Sequence, residues 1–205
     1  EEIEAKYFGV LTKIFNVARF ASQFPIPSDF NRIPDNLCVG DRWILSEFTQ
    51  VLADVERDWT AIDIFSATRT IKNFSTNVLP NHWLEMAKDR LYDGDENAAW
   101  TIHQILKDLL TIFSPVCPFF THHLSETLYG ESSVDVRQYP TSCLANDDEA
   151  VRLRSLTNSL SDFNSETWRA KKDAALSLNA EISGITIPAE LSEFNDELTA
   201  MHKLI

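Results

Sequence analysis

From Glu2 to Phe24 the apolar residues Ile3, Tyr7, Val10, Leu11, Ile14, Val17, Ala18 and Ala21 recur three and four positions apart. That spacing predicts a helix with one face on a core. Pro25, Pro27 and Pro34 forbid regular helix and predict a connecting loop. Asp41 can cap free amides, so a second helix is expected to open there and to bury Trp43, Ile44, Phe48, Val51, Leu52 and Val55. Thr60-Ala61-Ile62-Asp63 reads as a capping box before a third helix through Ile64, Phe65, Thr68 and Ile71. Pro80 is expected to interrupt or restart the pattern, which resumes with Trp83, Leu84, Ala87 and Leu91 and closes at the turn Asp93-Gly94-Asp95. Ala98, Ile102, Ile105, Leu109 and Ile112 predict a helix from Glu96 to Phe113. After the break Ser114-Pro115-Val116-Cys117-Pro118, a short helix is expected from Phe119 to Leu128.

Past Gly130 the period changes. Ser133-Val134-Asp135-Val136-Arg137 and Gly184-Ile185-Thr186-Ile187-Pro188 alternate as strands do. Between them Val151, Leu153, Leu156, Leu160, Phe163 and Trp168 predict another helix, and Glu190 to Leu204 a last one. The expected fold is mainly α: an antiparallel helix bundle over residues 1–130 and a small α+β appended subdomain over 131–205.

Composition narrows the function classes. The 205 residues contain no apolar run of the ~18 needed for a membrane span. Five glycines, at 9, 40, 94, 130 and 184, are too far apart to form a phosphate-cradling loop. Cys38, Cys117 and Cys143 fit neither a zinc pair nor a disulfide framework, so a cytoplasmic location is expected. The acidic start, with no basic or apolar leader and no initiator methionine, suggests a piece of a longer protein. A net charge of -13 argues against a general grip on nucleic acid. Residues 93–150 hold 10 acidic and 2 basic residues, however, so a polyanion could lie on the more balanced first 92 residues while the acidic segment faces away.

Candidate chemistry is sparse. His122 and Glu126 share a helical face with His123 beside them, but His82, His103 and His202 are solitary, and no metal site is predicted. No serine sits in a nucleophile elbow and Asp147-Asp148 reads as a pair of loop acids, so no catalytic residue is predicted. Arginines beside aromatics stand out in Asn16-Val17-Ala18-Arg19-Phe20 and Asp41-Arg42-Trp43-Ile44-Leu45. An aromatic face can stack on an unstacked RNA base while Arg or Asn bonds its edge or a phosphate. Equally, Trp43 can be core and Asp41-Arg42 a helix start with a local ion pair.

Lys13 to Phe20 followed by Asp41 to Ser46 resembles the opening of the anticodon-binding domain of class I aminoacyl-tRNA synthetases. Trp83-Leu84-Glu85-Met86-Ala87-Lys88 is similar to the Tyr-Leu-Glu-x-x-Lys segment of the valyl, isoleucyl and leucyl branch. Ser114-Pro115 with Pro118-Phe119-Phe120-Thr121 is similar to that branch's His-Pro-x-x-Pro-Phe-x-Thr-Glu-Glu stretch. Ser133-Val134, Tyr139-Pro140, Trp168-Arg169-Ala170-Lys171-Lys172 and Leu176 to Ala180 look most like archaeal-type valyl enzymes. Isoleucyl and leucyl enzymes are the alternatives within the branch, and a helical protein-interaction module without RNA is the alternative outside it. His122-His123 stands in place of the usual Glu-Glu, and Leu79-Pro80-Asn81-His82 where relatives carry Phe-Cys-Asp.

The resemblance implies recognition of a valine tRNA anticodon stem-loop by Asn16, Arg19, Arg42 and Trp43, with Lys88 and Arg90 on phosphates. It also implies a catalytic domain of the same polypeptide as partner. The catalytic signatures His-Ile-Gly-His and Lys-Met-Ser-Lys-Ser do not occur here. ATP and Mg are therefore expected in that other domain, with no cofactor and no catalysis in this chain.

Overall fold

The computed structural model describes residues 2–131, 133–142 and 144–205, with side chains from Phe8 onward. Helix α1 (Glu2–Ala21) buries Val10, Ile14, Val17, Ala18 and Ala21, as its stripe predicts. Ile3 and Tyr7, expected on the same stripe, lie outside the described side chains, and Cys143 lies outside the described residues.

Helix α2 (Val39–Thr60) begins two residues before Asp41, and its cap is Cys38, whose sulfur accepts from the Asp41 amide at 3.4 Å. The Asp41 carboxylate is fully buried and serves tertiary partners instead. The predicted capping box also takes a different form. Thr60 is the last residue of α2, and Asp63 caps α3 (Ile64–Asn73) by accepting from the Ser66 amide at 3.0 Å.

Pro80 does not break the helix. The run continues through a π-helical stretch (Phe74–Trp83) into α4 (Leu84–Tyr92). Wider i to i+5 bonding, such as the Leu84 amide to the Leu79 carbonyl, makes room for the proline ring. Within this stretch the Thr76 carbonyl also accepts from Lys13 Nζ of α1 at 2.8 Å. Gly94, at φ 85°, closes the turn into α5 (Glu96–Phe113), which Asp95 caps. Helix α6 (Pro118–Tyr129) ends on left-handed Gly130. Asp41 meets Trp83 and Arg90, and Phe48 meets Phe74, so α2 runs opposite to the α3–α4 run.

Beyond α6 the chain stays helical, with α7 (Asp148–Ser155), α8 (Thr157–Asp173), a 3-10 turn (Ala189–Phe194) and α9 (Asn195–His202). No strand forms among the described residues; only an isolated bridge joins Ile182 to Leu204. Residues 133–137 turn instead, with the Arg137 amide on the Val134 carbonyl at 3.3 Å and the Arg137 guanidinium on the Lys107 carbonyl and Thr111 of α5. Alternation needs a partner edge to become a strand, and side-chain anchoring on α5 takes its place. Leu153, Leu160, Phe163, Leu191, Phe194 and Leu198 join the same hydrophobic cluster as the bundle helices. The fold is thus a mainly α helical bundle, and among the described residues no helix is long and apolar enough to cross a membrane.

A polar chain runs through the α8–α9 contact. His202 Nε2 donates to Asn164 Oδ1 at 2.8 Å, and Asn164 Nδ2 donates to His82 Nδ1 at 2.9 Å. By accepting at Nδ1, His82 is used in its neutral form. Burial, with nearby Lys171 adding to it, pushes the His202 pKa down from 6.5 to about 4. A depressed histidine contributes stability that is present above its unfolded pKa and lost as pH falls toward the folded one. Acidification from pH 6.5 to 4 should therefore remove on the order of 3 kcal/mol through His202. Thermal melts of the protein and of His202→Gln, which keeps a donor for Asn164, should show the gap between them shrinking across this window. A constant gap would contradict this titration.

Candidate nucleic-acid interface

The α1–α2 and α4–α5 connections meet at one end of the bundle. Phe20, Phe24 and Tyr92 pack edge to face with centroids 5.0, 5.9 and 5.7 Å apart, joining the end of α1 to the end of α4. The loop between α1 and α2 is held from below by His103, whose Nε2 lies 3.3 Å from the Phe24 carbonyl, and by Phe30 over Lys107 Nζ at 4.4 Å. Burial lowers the His103 pKa, which keeps the ring neutral so that one nitrogen donates to that carbonyl while the other faces Tyr129 Oη at 3.2 Å. Over this base the loop and the start of α5 enclose an open cleft of about 620 Å³ lined by Asp29, Arg32, Asp35, Asn36, Glu96 and Asn97.

Asn16 and Arg19 are exposed on the last turns of α1, at this end. Arg42, half-buried, is held by Glu149 of α7 at 3.1 Å. Lys88 pairs with Glu85 one turn away at 2.5 Å. Trp43 is core: it is fully buried, its Nε1 donates to Thr157 Oγ1 at 2.9 Å and its ring meets Phe194 edge to face. No face is open on which a base could stack, which corrects the stacking role expected for it. Arg90 is likewise committed inside. Its two terminal nitrogens bond both oxygens of Asp41 at 2.7 and 3.0 Å, and it also reaches Asp95 at 2.8 Å and Glu197 at 3.5 Å. Burial opposes its charge, but the hydrogen bonds and charge of Asp41 prevail and raise its pKa. Arg90 is therefore a structural ion-pair partner, which corrects its expected place on a phosphate.

Glu197 extends the hub, accepting from Cys38 Sγ and the Gly40 amide, each at 3.1 Å. A Cβ at residue 40 would run into that carboxylate and push it out of its bonds to Cys38 and the residue 40 amide, so glycine keeps the hub closed. Burial holds the Cys38 thiol protonated, as its donor role requires.

Three acids of the 93–150 segment lie at the loop end. Asp93 and Glu96 are exposed at this same end, and Asp95 is engaged with Arg90 and the α5 cap. At the other end of the molecule, His122 Nε2 and Glu126 Oε2 approach only to 4.0 Å, and no three candidate metal ligands converge among the described residues.

Residues 41–186 match the model of the anticodon-binding domain of tRNA ligases. The chain belongs to this family. It is 32% identical over 196 residues to a valine–tRNA ligase of Methanopyrus kandleri, covering 91% of this chain and 21% of that protein. A valine–tRNA ligase of Aeropyrum pernix is 25% identical over 94% of the chain and 24% of its own length. One from Methanothrix thermoacetophila is 30% identical over 87% of the chain and 20% of its own length. The chain thus spans roughly a fifth to a quarter of the curated relatives it matches.

As an anticodon-binding domain, the chain presents at its loop end two residues that the sequence analysis passed over. Tyr92 is 64% exposed although its ring meets Phe20 and Phe24 edge to face, and Arg32 lines the cleft. The signal for Tyr92 was its place beside Leu91, off the apolar stripe and one residue before the Asp-Gly turn. Arg90→Leu would leave Asp41 buried without its cation and should cost about 3 to 5 kcal/mol. Trp43→Ala should cost a similar ~3 to 5 kcal/mol. Melting of each variant checks this, and a fall in RNA affinity without a fall in stability would restore either residue to the interface.

Proposed function

We propose that this chain recognises the anticodon stem-loop of a valine tRNA as one part of a valine–tRNA ligase. The observation that carries the reading is similarity to valine–tRNA ligases along nearly the whole chain. Exposed Asn16 and Arg19 supply the polar groups that read base edges. Valine anticodons carry A in the middle and C in the third place. Adenine offers an acceptor beside an amino donor, and cytosine an amino donor beside a ring acceptor, so an amide and a guanidinium suit them. The loop cleft admits a splayed base, and Tyr92 provides the stacking face that buried Trp43 does not. Arg42 and Lys88 reach a phosphate by exchanging Glu149 and Glu85 for it.

In this reading the attachment of valine to tRNA belongs to the whole ligase. Its ATP and Mg bind outside this chain, which contributes no catalytic residue. Ile62, Phe65 and Phe119, exposed by 81%, 75% and 91% at the end opposite the loop cleft, are suited to packing against the catalytic domain of the same polypeptide. The working compartment is the cytoplasm.

Binding of valine, isoleucine and leucine anticodon stem-loops to the chain tests the reading. The valine stem-loop should bind tightest; equal binding of all three, or none, overturns it. Arg19→Ala should narrow the preference for the valine anticodon roughly tenfold, the size of a lost bidentate base contact. Tyr92→Ala should weaken binding roughly tenfold while Tyr92→Phe retains it, since stacking needs only the ring. Unchanged discrimination or affinity would remove the residue concerned from the interface.

A further inference from the structure

The last turn of α8 carries the stretch Trp168-Arg169-Ala170-Lys171-Lys172, to which nothing above assigns a role. Its backbone closes back on itself. The Ala175 amide bonds the Lys172 carbonyl at 3.0 Å, and the Leu176 amide bonds the Lys171 carbonyl at 2.8 Å. This ending places Ala175 at φ 55°, a left-handed conformation usually left to glycine. Lys171 is fully buried, and its Nζ donates to the Leu178 carbonyl at 2.6 Å. A left-handed alanine and a buried ammonium are both unfavourable in isolation, and together they pin residues 175–178 over the helix end.

The result is an open groove of about 740 Å³ between that turn and the side chains of Trp168, Arg169 and Lys172. Trp168 is held on its inner side, stacked on His82 at 6.3 Å and edge-on to His202 at 5.7 Å. Arg169 and Lys172 are exposed and take part in none of the ion pairs formed among the described residues. Only about half of the cations elsewhere are paired with carboxylates, but the loop end sets Asp29, Asp35, Asp93 and Glu96 against Arg19 and Arg32. An RNA strand approaching a chain of net charge -13 must find positive charge somewhere, and this groove offers two unpaired cations beside a fixed aromatic ring.

We propose that this groove is a second RNA-binding site, in which Arg169 and Lys172 hold a phosphodiester and Trp168 supports the adjoining nucleoside. The site rests on the reading of the chain as an RNA-binding domain, but it grips backbone, not sequence. Losing such a backbone contact weakens binding of all RNAs alike and lowers its salt dependence by about 0.7 to 0.9 for each phosphate no longer neutralised.

The test is titration of the chain with full-length tRNA bearing the valine anticodon, and with the same tRNA carrying a changed anticodon, over a range of salt. Arg169→Gln with Lys172→Gln, both at exposed positions, should lower affinity for the two RNAs by the same factor, roughly tenfold at low salt. The slope of log K against log salt should fall by about 0.7 to 0.9, the share of one phosphate. Arg169→Lys with Lys172→Arg should restore both. Unchanged affinity and slope in the Gln variant overturn the groove even where the unsubstituted chain prefers the valine anticodon. A loss confined to the valine anticodon, or no RNA binding by the unsubstituted chain at low salt, also overturns it. If the two anticodons bind equally and the Gln variant still loses affinity for both, the groove stands and the anticodon reading falls.

Discussion

The pairing of Arg90 with Asp41 organises the end of the bundle on which everything else is presented. A fully buried carboxylate is tolerable only with its lone pairs filled, and Asp41 receives two bonds from Arg90 and one from the Trp83 indole at 3.0 Å. Arg90 in turn reaches Asp95 at the start of α5 and Glu197 in α9. One guanidinium therefore joins the beginnings of α2 and α5, the end of α4 and the last helix. Apolar packing alone would tolerate sliding of these ends, whereas directional bonds between buried charges specify one arrangement. The loop between α1 and α2 finishes on an element fixed in this way, and Tyr92 at the end of α4 and the start of α5 that lines the cleft inherit their positions from it.

Periodicity made most of the helices legible. The stripes of α1 and α5 needed only the spacing of apolar residues, and Glu96–Phe113 is the predicted span. What spacing could not convey was the partner of each polar group. Asp41 reads as a cap in isolation, yet its acceptors face Arg90 and Trp83, 49 and 42 residues away. Pro80 reads as a breaker because local rules count its missing N–H, while a π-helical stretch absorbs the ring and Lys13 of α1 bonds a carbonyl within it. The alternating residues 133–137 read as a strand because a period of two is silent about whether a neighbouring edge exists.

The same distinction separates the candidate residues. Asp41-Arg42-Trp43 attracted notice as arginine beside an aromatic, and each of the three is occupied within the fold: by Arg90, by Glu149 and by Thr157 with Phe194. Asn16 and Arg19 occupy the outward face of α1, opposite the stripe that reaches the core, so their exposure follows from the helical period itself. Tyr92 escaped because exposure of an aromatic at a helix end depends on what packs beside it, and edge-to-face contact with Phe20 and Phe24 leaves most of its side chain exposed.

Charge then sets how such an end can hold RNA. Exposed acids outnumber exposed bases around the cleft, so at about 0.15 M salt, where screening acts over roughly 8 Å, the loop end gains little from long-range attraction. Recognition there must come from short-range fit: stacking, hydrogen bonds to base edges and desolvation, which discriminate between sequences but draw RNA in weakly. Attraction without discrimination needs unpaired cations, and Arg169 and Lys172 lie on α8, away from the acids of the loop. Separating the two tasks has a physical advantage. A phosphate grip placed among the base-reading groups would favour every RNA equally at the point where sequences must be told apart. In the proposed arrangement a grip displaced from them raises affinity and leaves the difference between anticodons to the groups at the loop end, such as Asn16 and Arg19.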